Sequence, residues 1–260
     1  MKRYIKAAIM DVSKEPYEVR LELAEDHNTD SETLSQIASS AEHYEPSPSK
    51  AIDLIVAIAE NPNTSTETLG FIMDDKYFSS IPIIRQMVVG NSNVPLPILE
   101  EFATSFLSQF KFYAAENPSL PKDLLVQLSK DKDSDVRTAV VWNKNLTADI
   151  ALSLISDPST DVREELASIE DKLPIETVLT ILSSLWDDPV HDVRWAVATN
   201  SKCPTDILHK LVFDDDYSVR LFVTMNNNTS IEDLITLSND SNNEVSKHAR
   251  EKLHQRGIEI

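Results

Sequence analysis

Asp131-Lys-Asp-Ser-Asp-Val136-Arg137-Thr-Ala-Val-Val-Trp142-Asn143-Lys-Asn-Leu-Thr147-Ala-Asp149 is the stretch that decides the fold. Its parts return along the chain. Val162-Arg163, Val193-Arg194 and Val219-Arg220 repeat the Val-Arg pair, and the four arginines are spaced 26, 31 and 26 residues apart. Weaker copies begin at Val19-Arg20 and Ile84-Arg85, at Leu54-Ile55 and Phe110-Lys111 where arginine is replaced, and at Val245-Ser246, where the array runs out. Self-similarity at a period of about 20–50 residues is the mark of a repeat architecture. Eight units and a terminal fragment cover nearly the whole chain.

Each unit reads as two short helices. The residue before the arginine and the third after it are four apart and apolar, as in Val136 with Val140, Val193 with Val197 and Val219 with Val223, so they share one helix face. The fourth position after it is small or β-branched (Ala24, Ala59, Val141, Ala167, Ala198, Thr224), as close helix packing requires. Six positions after the arginine site stands Asn61, Asn91, Asn117, Asn143, Asn200 or Asn226, with Asp26 and Ile169 breaking the series. Pro95, Pro121, Thr147, Pro204 or Ser230 then precedes an acid such as Asp123, Asp149, Asp206 or Glu232 and an apolar run, which are start signals for a second helix. One such pair cannot bury both its apolar stripes, but stacked neighbours join them into a continuous core. The expected fold is all-α, an α-solenoid of about eight two-helix repeats, in one domain over residues 1–260. Residues 1–18 are expected to form an amino-terminal cap helix, 19–246 the repeats and 247–260 a carboxy-terminal cap. Ser39 to Lys50 and Pro174 to His191 lengthen their units, and both are expected to form surface loops.

The phrase Asn117-Pro-Ser-Leu-Pro-Lys-Asp-Leu-Leu, followed by Asp131 to Arg137, resembles the leucine-rich repeat variant family and is similar to HEAT repeats. That resemblance covers about residues 15 to 250 and implies a right-handed superhelix. A HEAT feature, an aspartate six residues before the arginine, is met by Asp131 and Arg137, Asp157 and Arg163, Asp188 and Arg194, and Asp214 and Arg220. Asp240 keeps the spacing but faces Ser246, so the expected ladder belongs to the carboxy-terminal half. Recurrence in successive units marks this ladder and the Asn117, Asn143, Asn200 and Asn226 column as stacking devices, because a guanidinium has five donors and an Asn amide satisfies turn backbone. Family members with an iron–sulfur cluster carry an additional cysteine group that this sequence lacks, and no cofactor is expected.

Composition narrows the function. Of 260 residues 41% are apolar, enough for a sizeable core, while 24 basic residues against 43 acidic ones leave a net charge of −19. A phosphate backbone is repelled by such a surface, so nucleic acid is not an expected partner. Three glycines supply no phosphate loop, and the lone Cys203 forms no internal disulfide and suits a reducing cytoplasm. The first ten residues lack the apolar core of a secretory signal, and the most apolar run, Ala51 to Ala59, is far short of the roughly 20 residues that span a bilayer, so no membrane association is expected. Asp131-x-Asp133-x-Asp135 begins like a calcium loop but lacks its glycine and has Trp142 where the bidentate Glu belongs. The six histidines show no ligand pair at one-turn spacing, and no Gly-x-Ser-x-Gly elbow exists. No metal and no catalytic residue is expected.

The first and fifth positions after the arginine also share a helix side, but their character varies strongly from unit to unit. Leu21/Glu25, Val56/Glu60, Gln86/Gly90, Phe112/Glu116, Thr138/Trp142, Glu164/Ser168, Trp195/Thr199 and Leu221/Met225 form this face. Core positions of the array are uniformly apolar, so the variable face is expected to meet solvent, and the resemblance to HEAT-type stacks implies that it lines the concave surface of the solenoid. Trp142, Trp195, Leu221 and Met225 are then a candidate docking patch for a protein or peptide. The competing enzyme reading casts Trp142, Trp195 and Asp192 in the roles of a HEAT-like alkylpurine DNA glycosylase. It is opposed by the net charge and by Glu25, Glu60, Glu116 and Glu164 on the same face.

Overall fold

A computed structural model describes residues 11–44 and 47–259. Every regular element among them is helical, and the chain divides into two compact units, Met1–Leu128 and Ser129–Ile260. The first unit holds α1 (Tyr17–Glu25), α2 (Ser31–Tyr44), α3 (Pro48–Glu60), α4 (Thr66–Asp74), α5 (Pro82–Gly90), α6 (Leu96–Ala103), α7 (Ser108–Glu116) and α8 (Lys122–Leu128). The second holds α9 (Ser134–Trp142), α10 (Ala148–Ser153), α11 (Thr160–Ala167), α12 (Ile175–Leu185), α13 (His191–Thr199), α14 (Thr205–Leu211), α15 (Tyr217–Met225), α16 (Ile231–Leu237) and α17 (Asn243–Gln255). Odd-numbered helices carry the Val-Arg phrase or one of its weaker copies. Within each unit each lies beside the next odd one, α1 to α7 in the first and α9 to α17 in the second, and the even helices cover their other side.

Local chemistry sets the boundaries. Ser47, Ser65, Asp133, Asp216, Ser230 and Asn242 cap their helices through side-chain oxygens that accept backbone N–H bonds, and Pro48 and Pro82 occupy first-turn positions. At the other end, Asn61, Asn91, Asn117, Asn143, Asn200 and Asn226 all stand at the carboxy-terminal cap of an odd helix. The backbone leaves the helix there, and the second helix follows after a short turn. The core is the stripe read from the sequence: Val136, Val140, Val193, Val197, Val219 and Val223 are fully buried, each contributing about 1.5–3 kcal/mol. The small fourth-position residues Ala24, Ala59, Ala167 and Ala198 are fully buried too, where neighbouring odd helices approach.

The expected cap helix over 1–18 lies largely outside the described residues; within them Val12–Lys14 make one 3-10 turn and α1 starts at Tyr17. The carboxy-terminal cap is the end of α17, which begins before residue 247. Residues 45 and 46 of the first insertion lie outside the described residues; the rest of both insertions is largely helical in place of the expected loop. They lengthen the second helix of their unit, giving the 14-residue α2 and the 11-residue α12. Val178, Ile181, Leu182 and Leu185 of α12 are buried, so the added turn supplies core.

Candidate functional site

Two hydrogen-bonded columns clamp the repeats. In the second unit, Arg137 Nε and Nη2 donate to Asp157 Oδ2 and Oδ1 at 2.6 and 2.7 Å, and Nη1 donates to the Asp131 carbonyl at 2.7 Å. Arg163 repeats this with Asp188 and the Asp157 carbonyl, Arg194 with Asp214 and the Asp188 carbonyl, and Arg220 with Asp240 and the Asp214 carbonyl. The ladder expected in the carboxy-terminal half is therefore present, but each arginine takes the carboxylate of the following unit and only the backbone oxygen of the aspartate six residues before it. The cause is local. The first carboxylate oxygen of Asp157, Asp188, Asp214 and Asp240 accepts the backbone N–H two residues ahead, which turns the side chain toward the preceding repeat. Asp240, which faces Ser246 in the sequence, is thus the last rung. Arg220 holds its carboxyl below the usual range against the effect of burial. Burial alone would raise Asp188 and Asp214, but Arg163 and Arg194 outweigh it and hold both low. The first unit uses other devices: Arg20 donates to the Glu15 carbonyl and Ser40 Oγ, and Arg85 lies over the rings of Phe102 and Phe110 at 5.1 and 4.4 Å.

The asparagine column works by the same backward reach. Asn91 Nδ2 donates to the Ala59 and Asn61 carbonyls at 2.8 and 2.9 Å, and its Oδ1 accepts the Asn93 N–H. Asn61, Asn117, Asn200 and Asn226 make the equivalent bonds to the preceding repeat, and Asn143 accepts from the Asn145 N–H. A second column stands two residues on. Asn63, Asn93 and Asn228 each donate to two further carbonyls of the preceding turn. Where Ile169 breaks the first column, Lys172 Nζ donates instead to the carbonyls of Val141 and Trp142 at 2.9 and 2.8 Å. Burial lowers its pKa, with Glu165 opposing.

Apart from the residues of these columns, the variable surface of the repeats is the solvent-facing side of the odd helices. In the second unit Trp142 is 44% and Met225 41% exposed. Trp195 is half-buried, set edge-on to Phe222 with ring centroids 5.2 Å apart. Leu221 is only 8% exposed, which corrects the expectation that it faces solvent: the first position after the arginine points toward a neighbouring helix in this repeat, and the fifth points out. A cavity of about 220 Å³ beside Trp142 is lined by Glu165, Ser168 and Lys172. Acids crowd the same helices. Burial raises the Glu164 carboxyl, and Asp192, Glu165 and Asp161 raise it further. Asp192, the residue cast for glycosylase chemistry, is exposed beside His191 at 3.3 Å and lies in this anionic field, which repels a phosphate backbone. Cys203 is fully buried, and no group of three potential metal ligands converges among the described residues. No described helix is long and apolar enough to cross a membrane.

A solved structure described as a leucine-rich repeat variant with a novel repetitive protein structural motif aligns over 88% of this chain and 87% of its own, with a TM-score of 0.57 and 22% identity. The chain has the leucine-rich repeat variant fold. No family model and no curated protein matches it. An engineered protein is 15% identical over 100% of this chain and 91% of that one, at a TM-score of 0.38. A designed armadillo repeat protein in complex with the peptide (KR)4 is 14% identical over 94% of this chain and 95% of that one, at 0.25. Leucine-rich repeat variant geometry explains why the stacking groups and the variable groups separate so cleanly. Repeating residues such as the asparagines bond to the preceding repeat, whereas the variable fifth-position residues Trp142 and Met225 are exposed.

Proposed function

We propose that this protein is a non-enzymatic, cytoplasmic repeat scaffold that binds a protein or peptide on its concave face, across the variable, solvent-facing side of the odd helices of its second unit. Trp142, Met225 and the half-buried Trp195 make the contacts, while the buried Leu221 belongs to the packing of its own helix. The observation that carries this reading is the pair of large apolar side chains held out from α9 and α15, rigid helices whose own polar groups are already bonded. Aromatic and methionine side chains on a rigid frame are the common anchors of protein interfaces. The lone thiol suits a reducing compartment.

The test is capture from one cell extract by immobilised wild type and by a Trp142→Ala/Met225→Ala double variant, with quantitative mass spectrometry. An anchor loses about 2 kcal/mol or more on truncation, so a true partner falls by more than about tenfold in the variant while its melting temperature holds. Recovery of the same proteins in the same amounts by both would end this reading.

A further inference from the structure

A cavity of about 320 Å³ opens on the solvent-facing side of the odd helices of the first unit, at the lower end of the range of ligand pockets, about 300–1,000 Å³. Glu60 and Glu116 line it from α3 and α7, with Met87 and Tyr113 supplying apolar and aromatic wall. It exists because of Gly90. The fifth position after the arginine carries Glu25, Glu60, Glu116, Trp142, Ser168, Thr199 or Met225 in the other units, and only here has no side chain. The backbone does not require glycine: Gly90 is helical without positive φ, and a Cβ built on it meets nothing within 4 Å. Gly90 is the last residue of α5, and with no backbone conformation to supply, what it supplies is space.

The polar groups of that space are unbalanced. The floor residues Asn91 and Asn117 spend their amides on the preceding repeat. Glu60 and Glu116 are exposed at the rim of the cavity, neither has a cationic partner among the described residues, and partial burial raises the Glu116 carboxyl. An arginine side chain answers every feature: its planar fork pairs with carboxylates, its face stacks on an aromatic ring, and its stem covers apolar wall.

We propose that the Gly90 cavity, between the Glu60 and Glu116 carboxylates and against Tyr113, is a binding site for the arginine side chain of a basic peptide segment. The site stands in the first unit and is independent of the tryptophan face.

The probe is the capped tripeptide Gly-Arg-Gly, titrated into ¹⁵N-labelled protein. The chain has three glycines, Gly70, Gly90 and Gly257, so the Gly90 amide is easily singled out. It is expected to shift saturably while Gly70 and Gly257 stay in place. Glu60→Gln/Glu116→Gln weakens binding at least fivefold, whereas Glu100→Gln/Glu101→Gln, the same charge removed from exposed positions of α6, leaves it unchanged. Gly90→Leu, read through the Asn117 side-chain amide, abolishes binding without lowering the melting temperature. Parallel shifts at all three glycines, equal loss in both double variants, or equal affinity for a citrulline or lysine tripeptide would overturn the assignment.

Discussion

Replacing Arg137 with Met removes one rung of the ladder while keeping most of the apolar stem. The Arg137 and Asp157 side chains are 9% and 4% exposed, and the guanidinium makes three bonds of 2.6–2.7 Å. Its loss leaves the Asp157 carboxylate bonded to the Ser159 N–H and removes the Arg137 bond to the Asp131 carbonyl. Removing one partner of a buried pair costs about 3–5 kcal/mol, because the other charge stays buried. Asp157→Asn keeps the bond from Ser159 but leaves the Arg137 charge buried without a counter-charge and sets an amide NH2 against a guanidinium donor, so it is costly too. Urea unfolding of wild type, both single variants and the double variant, followed by far-ultraviolet circular dichroism, gives the pairwise term; contacting pairs show about 0.5–3 kcal/mol. Arg137→Met within about 0.5 kcal/mol of wild type, the range of neutral surface changes, would refute the claim that the ladder holds the stack, as would a coupling of zero.

Acid should loosen the second unit. Asp188, Asp214 and Asp240 have folded pKa values below the ordinary aspartate value of about 3.9, so their stabilisation is complete above that value and is lost as pH falls through the lower folded ones. The urea midpoint is expected to drop most steeply below about pH 4, and less steeply in Arg220→Met; a main drop between pH 6 and 7 would contradict this. Cys203, fully buried, has its thiol pushed up to about 12 by burial and then by Asp206. It is expected to ignore a disulfide-exchange reagent at pH 8 in the native protein and to react fully in urea; native reaction at the rate of a free thiol would place it at the surface. Leu221→Ala should lower stability by about 2–5 kcal/mol and Trp142→Ala by far less, as thermal melts can establish, because only the first leaves a cavity. Equal losses would mean that Trp142 is packing.

The helices and their stacking were legible because Val-Arg and Asn recur at a fixed offset, and recurrence is what a stack of equal modules demands. The direction of the ladder was not legible, since a spacing of six residues cannot show that an aspartate in a turn is swung back toward the preceding repeat by its own bond to the backbone. The second asparagine column did leave a signal, Asn-x-Asn at 61/63, 91/93, 143/145 and 226/228. Lys172 left none, because a long side chain replaces a short one from a different position. Leu221 and Met225 share a helix side yet differ in exposure: sequence variability locates a face, and the approach of the neighbouring helix decides which edge of that face is sealed. Gly90 was legible as the one fifth position without a side chain, but the cavity was not, since its walls come from the neighbouring helices α3 and α7.

Hydrogen exchange of the asparagine side-chain amides tests most directly whether these repeats are clamped as described. The Nδ2 protons of Asn61, Asn91, Asn200 and Asn226 are predicted to exchange slowly, each held by two carbonyls of the preceding repeat. Exchange as fast as that of the solvent-exposed Asn243 would contradict the account.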